Sequence, residues 1–249
     1  MTAVTPELLS RFDIPGPRYT SFPTADRFVE AFGADDYILA LEQRKAHTGA
    51  RALPLSVYVH VPFCESLCYY CACNKIVTKH HEKAAEYLGY LARELTMHTA
   101  HCGKGQVVSQ LHLGGGTPTF FSDAELQQLM ELMREHFKLD AAGEYSIEVD
   151  PRTVSNERLK VLKDMGFNRL SFGVQDFDPA VQKAVHREQP AEQVFALVAE
   201  ARRLGFVSIN VDLIYGLPKQ TSESFARTLA QVNELRPDRI ALYAYAHLP

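Results

Sequence analysis

Four of the five cysteines lie within ten residues, in the segment Cys64-Glu-Ser-Leu-Cys68-Tyr-Tyr-Cys71-Ala-Cys73. Three thiolates spaced C-x3-C-x2-C can hold three irons of a [4Fe-4S] cluster, and the fourth iron is then left without a cysteine ligand. An iron with an open position can bind a ligand and begin redox chemistry. The spacing therefore predicts a redox-active cluster with one free coordination position.

Two other uses of the cysteines fit the sequence less well. Zinc is usually held by four ligands in two separated pairs, whereas these thiols crowd one short loop. Disulfides are not expected because residues 1–6 lack the basic and apolar regions of an export signal. The predicted iron–sulfur cluster instead indicates an enzyme that reductively cleaves S-adenosylmethionine (SAM). Spacing alone leaves open whether Cys71 or Cys73 is the third ligand, and Cys102 is predicted to be a buried thiol.

Composition places limits on the class of protein. The chain has 249 residues, 46% of them apolar, which is enough for one large domain with a sizeable core. No apolar run approaches the roughly 18 residues of a membrane helix. The net charge of −4 does not suggest binding to nucleic acid. We expect a cytoplasmic protein in a reducing compartment.

Strand and helix patterns alternate along the chain. The predicted strands are Leu55–Val61, Val107–Leu113, Tyr145–Val149, Arg169–Val174, Ser208–Tyr215 and Arg239–Ala244. Apolar residues at helical spacing lie between them: Leu88, Leu91 and Leu95; Leu126, Leu129, Met130, Met133 and Phe137; Phe225, Leu229 and Val232. This order predicts an α/β fold, a partial (βα)6 parallel barrel. In such barrels chemistry gathers at the carboxyl ends of the strands.

The two ends of the chain differ from this pattern. Residues 1–50 are predicted to form an arm, extended over the proline-rich Ile14–Pro23, and a short helix from about Ala34 to Lys45. Residues 51–249 are predicted to be the barrel. Because the chain stops just past the sixth strand without a covering helix, we expect a barrel truncated at that point.

Polar residues and glycines follow the predicted strands. Gly114-Gly-Gly-Thr-Pro118 comes directly after the second strand, where glycines let the backbone approach a ligand. Glu148 and Asp150 share one face of the third strand, and a structural carboxylate paired with Arg152 is the alternative to a ligand contact. Further polar groups, Gln175, Asp212 and Arg187, follow or belong to the fourth and fifth strands.

Read in order, the cysteine loop, GGGTP, SIEVDP, GVQDF, VDLIYGLP and YAHLP resemble radical SAM enzymes. More narrowly, the chain is similar to oxygen-independent coproporphyrinogen III oxidases, and the resemblance includes the arm Gly16–Thr24. It covers the whole chain but not that family's C-terminal domain, which we therefore do not expect in this chain.

The resemblance implies a role for each matching residue. Cys64, Cys68 and Cys71 would bind the cluster, and Cys73 would be an additional cysteine that is not a ligand. Two SAM molecules would bind side by side. The first would contact Tyr58, Gly115 and Glu148. The second would contact Tyr70, Gly116, Thr117, Gln175, Arg187, Asp212 and Ala246.

The implied reaction converts two propionates of coproporphyrinogen III into vinyl groups, giving protoporphyrinogen IX. A 5′-deoxyadenosyl radical would remove a hydrogen atom, and carbon dioxide would then be lost. We expect a monomer, a reduced electron donor such as flavodoxin or ferredoxin, and no acid–base residue. Basic residues that could meet the substrate carboxylates are Arg18, Arg27, Lys75 and Arg152. The alternatives are a haem chaperone of the same superfamily and a radical methyltransferase.

Overall fold

The computed structural model describes residues 5–14, 24–46 and 53–246. Most of the predicted extended arm, including Arg18, lies outside these residues, as do residues 247–249. No helix among the described residues is both long enough and apolar enough to cross a membrane.

A six-stranded, fully parallel sheet forms the centre of the fold. The strands are β1 (Leu55–Val61), β2 (Phe63–Cys64), β3 (Ile76–Val77), β4 (Gln106–Gly115), β5 (Phe137–Val149), β6 (Arg169–Gln175), β7 (Ser208–Tyr215) and β8 (Arg239–Ala244). The main sheet has the order β1-β4-β5-β6-β7-β8, while β2 and β3 pair separately. Strands β1 and β8 are its two edges, which confirms the predicted partial barrel.

Two helices precede the first strand, and the others lie between strands of the main sheet. They are α1 (Pro6–Phe12), α2 (Ala34–Ala46), α3 (Glu82–Cys102), α4 (Asp123–His136), α5 (Asn156–Asp164), α6 (Pro179–Ala184), α7 (Ala191–Arg203) and α8 (Ser222–Leu235). The predicted helix from Ala34 is confirmed as α2. It packs on α3, where the Tyr37 hydroxyl lies 3.1 Å from His98 Nδ1.

Alternation along the strands separates an apolar outer face from a polar inner one. Leu113, Ile147, Phe172 and Val211 are completely buried in the main core, which includes side chains of the covering helices. The residues that alternate with them are half-buried and polar: His112, Glu148, Ser171, Asn210 and Asp212. Ile147 and Val149 are buried, whereas Glu148 between them faces the polar side. The inner face of the sheet therefore carries polar side chains, whereas its outer face is apolar.

One helix prediction and one strand prediction were wrong at their shared boundary. Phe137 does not lie on the predicted helix, because α4 ends at His136 and β5 begins at Phe137, eight residues before the predicted start. Phe137 pairs with Gln106 of β4. The Phe137 side chain is buried in either setting, so apolar spacing could not distinguish a last helical turn from a first strand residue.

The buried face of α8 also differs from the predicted apolar stripe. Leu229 is exposed, whereas Ser224 and Thr228 are buried beside Val232. The Thr228 hydroxyl donates a hydrogen bond of 2.5 Å to the buried carboxylate of Asp176. A buried charge needs such donors, and this requirement rather than hydropathy selects the face.

Candidate functional site

The cysteine loop begins where β1 ends and is closed at its base by backbone hydrogen bonds. The pairing of β2 with β3 brings residues 63–64 beside residues 76–77. Ile76 N donates to Pro62 O at 2.7 Å, and Thr78 N donates to Cys64 O at 2.9 Å. Within the loop, Cys71 N donates to Cys68 O at 3.1 Å. The loop that carries Cys64, Cys68 and Cys71 therefore begins at the carboxyl edge of the sheet, and backbone hydrogen bonds hold it there.

A distant segment of the chain holds the far side of this loop. Tyr69 N donates to Val185 O at 3.0 Å, and the His186 ring lies 2.7 Å from Leu67 O through Nδ1. The Tyr69 and His186 rings stack with their centroids 5.3 Å apart. Residues 185–187, which connect α6 to α7, thus support the cysteine loop from outside.

Hydrogen-bond donors point at two of the three predicted cluster sulfurs. Cys64 Sγ accepts from the Thr117 hydroxyl at 3.5 Å. Cys68 Sγ accepts from Arg152 at 3.6 Å and from Arg187 at 3.5 Å. Such donors stabilise charge on sulfur, so the arrangement fits thiolate ligands of a cluster. The three cysteines are free of disulfide bonds.

The cysteines differ in how readily they lose a proton. Burial raises the pKa of Cys64, and the nearby Cys71 and Cys68 thiols add to that rise. A hydrogen bond with Cys73 lowers the pKa of Cys71 to about 5, whereas the same contact raises the pKa of Cys73. Cys71 and Cys73 are thus hydrogen-bonded to each other, and Cys71 as the third ligand stays a prediction. In the described ranges, no three His, Cys, Asp or Glu side chains are grouped to hold a metal ion.

Asp150 is an ion-paired carboxylate, which confirms the structural alternative for this residue. Its Oδ2 lies 2.6 Å from Arg152 Nη2 and 3.2 Å from Arg187 Nη1. Arg187 also donates to Gly173 O, through Nε at 3.1 Å and Nη2 at 2.7 Å. Arg152 and Arg187 hold the pKa of Asp150 below its usual value even though burial opposes the shift.

The glycine motif packs directly against the start of the cysteine loop. Gly116 N donates to Val61 O at 2.8 Å, and Thr117 N donates to Phe63 O at 2.7 Å. A Cβ at Gly116 would lie 2.7 Å from Phe63 O and 2.8 Å from Pro62 O. The close backbone approach expected of this motif therefore exists, and the cysteine loop is the partner that it approaches.

A second network joins the three residues predicted to contact the first SAM. Glu148 accepts from Gly115 N at 3.1 Å through Oε2, and His112 Nε2 lies 3.2 Å from its Oε1. The ring of Tyr58 stacks on that of His112 at 5.8 Å, and the Tyr58 hydroxyl lies 3.0 Å from His60 Nδ1. Gly115 has a φ of +115°, which glycine adopts without strain. The fold thus brings Tyr58, Gly115 and Glu148 together.

The residues predicted to contact the second SAM are more widely distributed. Gly116 and Thr117 lie at the cysteine loop. Tyr70 packs in a small apolar cluster with Val181, Val185, Ile214 and Leu217, and burial raises its pKa. Ala246 is exposed, two residues beyond β8.

Among the residues predicted to contact the second SAM, the side chains of Asp212 and Gln175 lie in unusual environments. Burial, reinforced by the charge of Glu148, raises the pKa of Asp212 to about 6, although Asn210 and Ser171 donate to its carboxylate. Gln175 has a φ of +66° and a buried Oε1. Within the described residues that Oε1 accepts no hydrogen bond. Both side chains would gain from a ligand that donates hydrogen bonds.

Each described residue that was considered for the substrate carboxylates already contacts another group of the protein. Lys75 donates to Cys71 O at 2.7 Å, and Arg152 is bonded to Asp150. Arg27 is exposed, 3.5 Å from Asp26. Sequence reasoning missed His60, His112, Ser171 and Asn210, which alternate with or neighbour the named residues. The period of two along β1, β4, β6 and β7 is the signal that could have found them.

A family model described as the radical SAM superfamily matches residues 58–232. Among curated proteins, an oxygen-independent coproporphyrinogen III oxidase from Pseudomonas aeruginosa is 52% identical over 246 residues. The match covers 98% of this chain and 52% of the relative. An Escherichia coli protein of the same name is also 52% identical, over 242 residues. The chain spans about half the length of these relatives.

Solved structures give a consistent picture of the fold. A structure of coproporphyrinogen III oxidase (HemN) from Escherichia coli superposes with a TM-score of 0.85 at 52% identity. It covers 93% of this chain, which corresponds to 52% of that one. The radical SAM methyltransferase TsrM from Kitasatospora setae has a TM-score of 0.53 at 14% identity, which shows a shared fold only.

Proposed function

This chain belongs to the radical SAM superfamily, and we propose that it carries out the oxygen-independent oxidative decarboxylation of coproporphyrinogen III to protoporphyrinogen IX. The observation that carries the proposal is the cysteine loop, which backbone hydrogen bonds hold beside the glycine motif. The chain that contains it is 52% identical over nearly its whole length to an oxidase of that name. Its cofactors are a [4Fe-4S] cluster and SAM, as the family requires.

Cys64, Cys68 and Cys71 are proposed to hold the cluster, and the donors on two of their sulfurs support that assignment. When bound, the cluster and SAM supply a one-electron cleavage that yields a radical able to remove hydrogen from carbon. The protein then has to position the reactants and keep water and oxygen away. We therefore propose no acid–base residue.

For the first SAM we propose contacts with Tyr58, Gly115 and Glu148. The hydrogen bond between Gly115 N and Glu148, 3.1 Å long, supports a common site for these residues. Glu148 presents carboxylate oxygens to the inner face, where an ammonium or ribose hydroxyls would satisfy them.

For a second SAM we propose contacts with Tyr70, Gly116, Thr117, Gln175, Arg187, Asp212 and Ala246. The support is local and differs between residues. The unbonded Oε1 of Gln175 and the buried carboxylate of Asp212 need donors. Arg187 already uses its donors on Asp150, Cys68 and Gly173, so a carboxylate would have to share them.

The remaining assignments are part of the same proposal. We propose that the protein is a cytoplasmic monomer, and that a donor such as flavodoxin or ferredoxin reduces its cluster. Residues 1–50 would form an arm with a helix that packs on the barrel of residues 51–249. The packing of α2 against α3 supports the contact of this helix with the barrel.

The test is an anaerobic assay of the reconstituted chain with dithionite, SAM and coproporphyrinogen III, followed by chromatography of the products. We expect protoporphyrinogen IX together with 5′-deoxyadenosine. Deoxyadenosine without a vinyl product would keep the SAM cleavage and assign the missing step to another substrate or to the part of the relatives that this chain does not span. Bound haem with neither product would favour a chaperone.

Cysteine variants provide matched controls for the cluster assignment. Replacing Cys64, Cys68 or Cys71 by serine should abolish both products and reduce bound iron. Cys102→Ser should leave bound iron unchanged, because Cys102 is buried at the end of α3, away from the loop. Cys73→Ser should also retain iron. Loss of iron from Cys73→Ser but not from Cys71→Ser would reverse the assignment of the third ligand.

A further inference from the structure

Cys68 is in contact with two guanidinium groups. Arg152 Nη2 lies 3.6 Å from Cys68 Sγ, and Arg187 Nη1 lies 3.5 Å from it. Cys68 is itself buried, with 8% of its surface exposed. Cys64, by comparison, accepts one hydrogen bond from the neutral Thr117 hydroxyl. The loop therefore surrounds one of its sulfurs with charged donors.

Asp150 lies between the two arginines and neutralises half of their charge. Its Oδ2 bonds both, at 2.6 Å to Arg152 and 3.2 Å to Arg187. The three side chains together carry a net charge of +1 beside the sulfur. Asp150 and Arg187 are 7% and 8% exposed, so solvent screens this charge far less than a surface pair.

The rest of Arg187 is held in place by the backbone. Its Nε and Nη2 donate to Gly173 O, and a Cβ at Gly173 would lie 2.7 Å from Nη2. Arg152 is fixed by its neighbour as well, since its backbone N and Nε both donate to Asp150 Oδ1 at 3.0 Å. Neither guanidinium can turn away from Cys68 without breaking several bonds.

We propose that Arg152 and Arg187, balanced by Asp150, raise the reduction potential of the cluster by acting through Cys68. This inference rests on the proposed ligation of the cluster by Cys68. Hydrogen bonds to cluster sulfurs and local net charge are two of the quantities that set the potentials of such clusters. Reduction by dithionite adds one electron to the cluster, and a nearby positive charge stabilises that added electron. Arg152 is thus a tuning residue in this proposal.

The test is a redox titration of the reconstituted holoenzyme, followed by electron paramagnetic resonance of the reduced cluster. Arg152→Gln removes a charged donor and should shift the midpoint potential to a more negative value. We expect at least a tenfold loss in the equilibrium constant for reduction, which is ~59 mV for one electron. Arg152→Lys keeps the charge and should shift it less. Asp150→Asn leaves both arginines unneutralised and should shift it in the positive direction.

Opposite signs for Arg152→Gln and Asp150→Asn distinguish tuning from a merely structural role. A structural role would move both variants the same way or lower their iron content alike. The matched control is Arg169→Gln, because Arg169 is also ion-paired, with Glu144, but lies at the amino end of β6. It should leave the potential unchanged.

Each outcome decides the proposal. An unchanged potential in Arg152→Gln, or the same sign in both variants, overturns it. If Arg152→Gln fails to retain iron, Asp150→Asn decides alone: a positive shift supports the proposal, and no shift or a negative one overturns it. The titration contains neither SAM nor porphyrinogen. Failure of the proposed oxidation would therefore leave the shifts intact, whereas vinyl product without shifts would overturn this inference only.

Discussion

Replacement of Gly116 by alanine should displace the segment that leads into Cys64. The added Cβ would lie 2.7 Å from Phe63 O, 2.8 Å from Pro62 C and 2.8 Å from Pro62 O. All three are backbone atoms, so no side chain can rotate to relieve the overlap. Either the glycine motif or the segment after β1 has to move.

The expected loss in the free energy of unfolding follows from the steric overlap and from the hydrogen bonds that the overlap would weaken. Forcing an extra carbon into a packed site costs about 1–3 kcal/mol. Two backbone hydrogen bonds cross the same contact, from Gly116 N to Val61 O and from Thr117 N to Phe63 O. Each contributes about 0.5–1.5 kcal/mol. We expect Gly116→Ala to lower the free energy of unfolding by about 2–4 kcal/mol, if one bond is lost or both are weakened.

The assay is urea unfolding of the anaerobic protein, with iron content measured on the same samples. Gly89→Ala is the matched control, since Gly89 is exposed within α3 and a Cβ there would meet nothing within 4 Å. Because glycine weakens a helix interior, this control should gain about 1 kcal/mol. A Gly116→Ala protein as stable as wild type, with full iron, would refute the reasoning.

Two further predictions concern the polar inner face. Burial and the charge of Glu148 raise the pKa of Asp212 to about 6, so the folded state binds this proton more tightly than the unfolded state. Stability should therefore fall by about 1 kcal/mol between roughly pH 5 and 7, and Asp212→Asn should flatten that slope in urea unfolding of the cluster-free chain. An unchanged slope would argue against the shift. His112→Gln should weaken SAM binding several-fold in equilibrium dialysis while iron content stays constant, because His112 contacts both Glu148 and Tyr58. Wild-type affinity in this variant would remove His112 from the site.

Local sequence signals predicted the strands well where apolar alternation was uninterrupted. The bounds of β1, β7 and β8 agree with the prediction, and β6 extends one residue further. Strand β5 begins eight residues earlier than predicted, since its first residues pair with β4 although they carry charged and small side chains. Pairing partners far along the chain determine such a segment, and no local period reports them.

In the candidate site too, local features could be predicted from the sequence and contacts between distant segments could not. Cysteine spacing and the glycine motif are local and identified the loop. The two guanidiniums on Cys68 could not be predicted, because Arg187 is 119 residues away and its contact depends on the fold of β6 and α6. The pairing of Asp150 with Arg152 was one of the two alternatives from the sequence, but its second ion pair, with Arg187, required the structure.

The support of the cysteine loop by residues 185–187 has a consequence for biosynthesis. At roughly 5–20 residues per second, a ribosome needs about 6–24 s to add the 119 residues between Cys68 and Arg187. During that interval the loop lacks its bonds to Val185 and His186, and Cys68 has no guanidinium beside it. We therefore expect cluster insertion to follow synthesis of α6, so that nascent chains arrested before residue 185 bind less iron than chains arrested beyond α7.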